Sequence, residues 1–240
     1  LEETTGIILK HLDYKESSQI LYVYTEEGVK SYLIHGGKKL KSPFLSNRDT
    51  ISYVRIHASG KGSLKTVKEV ETLVFYKNIK SSIEKVTYVS HLLELVELFS
   101  RGELNHEKAF PFVKKILDRV ETEDDYIPYI NMFEAKLLYL LGVNPLFSEC
   151  VICKDTDDLS FSVKEGGMTC HTHTSNGEVH SQECIELFQF LYYYDLAKPS
   201  SIETNVKTII ELRHLLDDYY SYHLNVKTKS RTVLEGLIGY

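Results

Sequence analysis

Between Gly6 and Tyr76 the apolar positions come in short runs that alternate with polar ones. GIILKHL, SQILYVYT, VKSYLIH, TISYVRIH and LKTVKEVETLVFY follow one another, each rich in the β-branched and aromatic side chains that suit a pleated, half-buried strand. Turn residues separate them at Glu26-Glu27-Gly28, Gly36-Gly37 and Ser59-Gly60-Lys61-Gly62. Five strands at this spacing predict a small barrel, and the OB-fold is the five-stranded barrel that fits best.

After Tyr76 the period lengthens. Ile83, Val86, Val89, Leu92, Leu93, Val96 and Phe99 recur at steps of three and four, which predicts a helix with one apolar stripe ending near Arg101-Gly102. Further helices are predicted at about 107–120 and about 127–141, the second closed by Gly142 and then Asn144-Pro145. Helical periodicity returns at about 181–194, 202–224 and 230–237, with Pro199 as a break. The expected fold is therefore α+β: an OB-fold barrel over 1–80, then a helical domain over 81–240 with a zinc-binding loop inserted at 145–176.

That loop lacks a long period and holds Cys150, Cys153 and Cys170, with none of the four cysteines in the first 149 residues. Cys150-Val151-Ile152-Cys153 and Cys170-His171-Thr172-His173 are two short knuckles whose spacing lets paired ligands reach one tetrahedral ion at ~2.0–2.3 Å. The predicted set is Cys150, Cys153, Cys170 and His173, holding one structural zinc per chain. His171, His180 and Cys184 are near enough in sequence to compete for the fourth place, although Cys184 beside Ile185, Leu187 and Phe188 reads as a small buried hydrophobe. Four protein ligands would leave no open position for a catalytic water.

Charge divides the chain. The net charge is −6, yet residues 1–80 hold 13 Lys/Arg against 9 Asp/Glu, while residues 81–240 hold 15 against 25. Between Val29 and Lys68 nine basic residues face only Asp49. A local basic excess on a barrel points to a phosphate backbone. Lys30, Lys38, Lys39, Lys41, Arg48, Tyr53, Arg55, Lys61 and Lys65 are the candidate DNA-binding residues, with Tyr53, Arg55 and His57 expected on one face of the fourth strand. No nucleophile, base and orienter arrangement and no GxxxxGK[ST] loop is present, and the acidic run 121–125 reads as a solvated interhelical loop, so a non-enzymatic role is expected. No apolar run reaches the ~20 residues of a membrane helix, and a cytoplasmic, nucleoid-associated location is the expectation.

The order of these features resembles the RecO family of DNA repair proteins along essentially the whole chain. Gly6-Ile7-Ile8-Leu9 with Tyr14-Lys15-Glu16 is similar to the family's opening strand and turn, and His35-Gly36-Gly37-Lys38-Lys39 to its Lys-Gly-Ala-Arg type loop. Leu64 with Glu69 and Glu71, Asn144-Pro145-Leu146 before the first knuckle, Gly166-Gly167 before Cys170, and Lys229-Ser230-Arg231 also resemble it. Two positions depart: His35 replaces a common lysine, and His173 stands where many members have a fourth cysteine. The resemblance implies binding of single- and double-stranded DNA, annealing of complementary strands, and assistance to RecA in loading on DNA coated by single-strand-binding protein. It also implies RecR and the C-terminal tail of single-strand-binding protein as partners. The rival expectation is a protein-interaction adaptor in which the acidic helical half acts and DNA binding is incidental; a metal-dependent nuclease ranks third.

Overall fold

A computed structural model describes residues 1–39, 42, 44, 49–102, 104–174, 180–197, 202, 204–228, 230 and 233–234. The chain divides into two compact units, Leu1–Thr122 and Glu123–Tyr240. The change from strand to helix falls near residue 76, so the first unit takes in the barrel together with three of the helices.

In the first unit β1 (Glu2–Tyr14), β2 (Ser18–Thr25), β3 (Gly28–Ile34), β4 (Tyr53–Ser59) and β5 (Lys65–Val74) close into a barrel in the order β1-β2-β3-β5-β4. The pattern-based strands reappear, with β1 beginning earlier, at Glu2. β1 is shared by two partners: Ile7 aligns with Tyr24 of β2 and with Tyr53 of β4, and a register shift between Ile8 and Lys10 lets the strand bend from one to the other. Closure fills the interior with Ile8, Leu21, Val23, Tyr32, Ile34, Val54, Ile56, Ala58, Val67 and Val70. Alternation along β4 is strict, with Val54, Ile56 and Ala58 buried and Tyr53, Arg55 and His57 turned outward.

Three helices complete this unit: α1 (Lys77–Ser81), α2 (Ile83–Phe99) and α3 (His106–Thr122). The short α1 has no counterpart in the apolar pattern, because five residues offer too little periodicity. Its first turn is held from a distance in sequence. Glu121 of α3 accepts hydrogen bonds from the backbone N–H groups of Asn78 and Ile79, both at 2.9 Å, so a carboxylate lies against the helix N-terminus. The Tyr76 hydroxyl donates to Asp118 of α3 at 2.9 Å. Glu121→Ala is expected to cost about 1 kcal/mol, the scale of a lost helix cap, read as a lower urea midpoint at an unchanged m-value.

The second unit holds α4 (Ile127–Leu140), a hairpin of β6 (Leu159–Ser162) and β7 (Gly167–Cys170), α5 (Gln182–Tyr193) and α6 (Val206–Leu224). Ser181 caps α5 by accepting from the Cys184 N–H, and the Glu211 carboxylate of α6 accepts from the backbone and hydroxyl of that same serine. The α6 helix starts at Val206, four residues after the start suggested by periodicity, behind the Asn205 cap, whose side chain accepts from Thr208 N–H. The final predicted helix at 230–237 lies mostly outside the described residues. No helix among the described residues is long and apolar enough to cross a membrane.

Candidate metal centre and nucleic-acid interface

The hairpin is the frame of the Cys/His loop. Cys170 ends β7 opposite Leu159, and two bonds tie the strand to the first knuckle and the segment ahead of it: Met168 N–H donates to Leu146 O at 2.8 Å and Val151 N–H to Met168 O at 2.9 Å. Each knuckle is closed by its own backbone, Lys154 N–H donating to Cys150 O at 2.9 Å and His173 N–H to Cys170 O at 2.8 Å. Lys154 takes the left-handed conformation at φ 68°, which turns the first loop back on itself. Four ligand atoms result, all within 4.8 Å of one another, from Cys150, Cys153, Cys170 and His173.

Their separations fit a small tetrahedral ion. Bonds of ~2.0–2.3 Å at tetrahedral angles put neighbouring ligand atoms about 3.5–3.8 Å apart. Cys153 Sγ and Cys170 Sγ are 3.6 Å apart, and His173 Nδ1 lies 3.7 Å from Cys150 Sγ and 3.3 Å from Cys170 Sγ. The electrostatics favour thiolate at Cys150 and Cys170, while the neighbouring sulfurs of Cys150 and Cys170 help to hold the Cys153 thiol above its ordinary value. Burial raises the Cys150 thiol, but the backbone N–H groups of Cys153, Cys170 and Ile152 outweigh it and bring the value down to about 6. Cys170 is lowered by Thr172 and His173. The competing residues fall elsewhere. His171 is exposed outside the cluster, His180 lies beside the Phe161 ring, and Cys184 is buried in α5, where desolvation pushes its thiol up to about 12.

The cations of the barrel are arranged less simply than their clustering in sequence suggests. Lys30 and Lys65 lie at the end of the barrel that carries the β2–β3 turn, while Lys38 lies at the opposite end, its N–H donating to Ser17 O in the β1–β2 turn. Strand β3 separates the two groups; from Lys30 to Ile34 alone is ~13 Å at ~3.3 Å per residue. Sheet pairing also brings in acids that are remote in sequence. Glu3 on β1 and Glu71 on β5 flank Arg55, at 3.4 and 2.6 Å; Glu2 bridges Lys30 and Lys65; and Asp13 holds Lys38 at 3.1 Å. Lys39 and Lys61 are exposed and form no ion pair among the described residues. Tyr53 faces outward, as alternation requires, but its ring lies 6.3 Å from Phe110 of α3 with Lys114 Nζ 5.4 Å from its centroid, so part of its surface is already covered. Lys41 and Arg48 lie outside the described residues.

Against known proteins, the family described as Recombination protein O N terminal matches residues 1–76, and Recombination protein O C terminal matches residues 80–232. The chain belongs to the RecO family. It is similar to proteins named DNA repair protein RecO from Exiguobacterium sp., at 28% identity over 242 residues, covering 99% of this chain and 97% of the relative. The namesakes from Bacillus cytotoxicus and Bacillus cereus are 26% identical over 241 residues, with 98% and 97% covered.

Two features of this RecO-family chain were not legible in its motifs. The acids that neutralise the barrel cations come from β1 and β5, and only the strand register identifies them. The glycine pair ahead of Cys170 reads as a turn, yet its second member has a packing duty. A Cβ on Gly167 would stand 2.5 Å from Leu146 O and 2.8 Å from Leu146 N, which are backbone atoms that cannot swing aside. Gly167→Ala is expected to push β7 off Leu146 and destabilise the second unit by about 1–3 kcal/mol, measured by thermal melting, with weaker metal retention because Cys170 ends the displaced strand.

Proposed function

We propose that this chain is a non-catalytic recombination mediator that binds single- and double-stranded DNA on its barrel, anneals complementary strands, and assists RecA in loading onto DNA coated by single-strand-binding protein. RecR and the C-terminal tail of single-strand-binding protein are its proposed protein partners, and the cytoplasm, in association with the nucleoid, its proposed location. The observation that carries the reading is membership of the DNA repair family over both halves, with cations at both ends of the barrel. Annealing needs phosphate charge to be screened while two strands find register, and exposed lysines supply that without bond chemistry. The Cys150, Cys153, Cys170 and His173 cluster is proposed to hold one structural zinc, since three sulfurs and an imidazole at tetrahedral spacing suit that ion and leave no open position.

One observation favours the adaptor alternative: Lys30, Lys38, Arg55 and Lys65 are each paired with a carboxylate. None of these pairs is fully buried, and ion pairs in reach of solvent are weak enough for a phosphate to displace, so the mediator remains the better reading. The decisive measurement is fluorescence annealing of complementary oligonucleotides, with and without single-strand-binding protein and magnesium. Annealing without cleavage is the expected result. Cleavage would indicate a nuclease, and neither activity would leave the adaptor.

A further inference from the structure

The four ligand positions of the metal cluster are unequal. Cys150 and Cys170 are buried, whereas Cys153 is exposed, and its neighbours Ile152 and Lys154 are exposed with it. Cys153 Sγ lies 3.6 Å from Cys170 Sγ, a contact that crosses from one knuckle to the other. A disulfide has its sulfurs about 2.05 Å apart, so this pair is ~1.6 Å short of a bond.

The residues around that contact differ in how firmly they are held. Cys170 is the last residue of β7, paired with Leu159, and its carbonyl accepts from the N–H groups of His173 and Thr174. Cys150 is anchored as well, its N–H donating to Asp155 O at 2.7 Å and its carbonyl accepting from Lys154 N–H at 2.9 Å. Cys153 lies within the turn that these two bonds close, on its exposed side.

We propose that Cys153 is an oxidation site for hydroperoxides, resolved by Cys170, and that the resulting disulfide takes over from the metal in tying the two knuckles together. The inference rests on the metal reading above, because a coordinated sulfur is held as thiolate, the form that oxidants attack. The Cys153 sulfur takes one oxygen from the peroxide: the O–O bond breaks, hydroxide leaves, and the sulfur gives up two electrons as a sulfenic acid. Rotation of the Cys153 side chain then brings it to Cys170, whose sulfur attacks it. The S–O bond breaks and a second hydroxide leaves. Counted from two thiols, one hydrogen peroxide is reduced to two waters. Two of the four ligands are consumed, and Cys150 with His173 is too small a set to keep the ion.

The bridge joins the segments that the metal joins, the first knuckle and the end of β7, and closes the loop that carries β6 and β7. It therefore restricts the unfolded chain much as the ion does. A bridge between Cys150 and Cys153 would also expel the ion, but it would leave the second knuckle untied. Oxidation through Cys170 changes the chemistry of the staple and keeps its place.

The test treats the purified chain with hydrogen peroxide at a few-fold molar excess. A chromogenic chelator should report zinc release, and peptide mapping after alkylation should find one disulfide, Cys153 to Cys170. The oxidised, metal-free chain should melt about 6–12 °C above the reduced chain stripped by chelator, the scale for closing a loop of this length. Dithiothreitol with added zinc should reverse both changes. Cys153→Ala should lose the gain in melting temperature, while Cys184→Ala, which alters a sulfur outside the cluster, should form the same bridge as the parent. A Cys150–Cys153 bridge, sulfinic acid at Cys153 without a bridge, or equal melts for the oxidised and stripped chains overturns the proposal. If zinc leaves with no Cys153–Cys170 bridge, the metal reading stands and the oxidation site falls. If the chain holds no metal yet gains the bridge and the higher melt, the metal reading falls and the oxidation site stands.

Discussion

Removing the metal is expected to lower the melting temperature by about 8–16 °C. A site holding its ion a thousand-fold above Kd adds ~4 kcal/mol to the folded state, and a chain of this size loses ~2–4 °C per kcal/mol. The structure shows where that free energy acts. The hairpin end of the loop has an apolar floor: Phe147 meets Phe188 at 5.1 Å and Phe161 at 5.8 Å, Phe161 meets Tyr219 at 6.3 Å, and His223 is 2.6 Å from Val163 O. The knuckle end has none, with Ile152 and Cys153 both exposed. Chelation should therefore loosen the two knuckles and leave the hairpin base attached to α5 and α6. Cys153→Ala is the cleaner variant, because an exposed ligand is lost without opening a cavity; Cys150 is buried, and its replacement by Ala mixes metal loss with packing. His171→Ala is the control that should keep the ion, since His171 stands outside the cluster. The checks are zinc content after chelator washing and a melting curve. A parent protein without zinc, or Cys153→Ala with full zinc content and an unchanged melt, would remove the metal from the account. Acidification acts in the same direction: the ligands bind as thiolates and neutral imidazole, so protons compete with the ion and metal retention should weaken as pH falls.

The double substitution Lys39→Glu with Lys61→Glu is expected to weaken DNA binding about a hundred-fold near 50 mM salt, ~2.7 kcal/mol, and to flatten the salt dependence by about two counterions. These two lysines are the informative pair because both are exposed without an ion pair among the described residues, so their whole charge is available to phosphate. Reversing Lys38 would be ambiguous, since the same change breaks its contact with Asp13. The two sites belong to different loops of the barrel, one following β3 and one joining β4 to β5. Measuring each single variant as well as the pair therefore reports whether the strand uses one end of the barrel or both. Equal binding by all of them at moderate salt would leave the barrel ends without a role in DNA contact.

Much of the architecture was legible in the chain because the two periods differ. Alternation marked β2, β3 and β4 almost to their ends, since one side of a barrel strand is inside and the other outside. Steps of three and four marked α2 and α4 for the corresponding reason. The knuckles were legible for another reason: two ligands two residues apart can reach one ion whatever surrounds them. The α1 helix escaped because its N-terminal turn is completed by Glu121, more than forty residues away.

The balance of charge on the barrel was the least legible feature. Counting along the chain leaves the basic stretch from Val29 to Lys68 facing a single acid, Asp49. Closure of the barrel sets β1 beside β4 and β5 beside β4, and so delivers Glu3 and Glu71 to Arg55; Glu2 comes to lie between Lys30 and Lys65. The sequence by itself determined the strands, the longer helices and the metal-ligand spacing, since each depends on residues a few positions apart. Only the tertiary structure decided which lysines keep their charge free and which basic side chains are paired with carboxylates from remote strands. Coulomb interactions act across space, and barrel closure places residues from opposite ends of a strand order within a few ångströms.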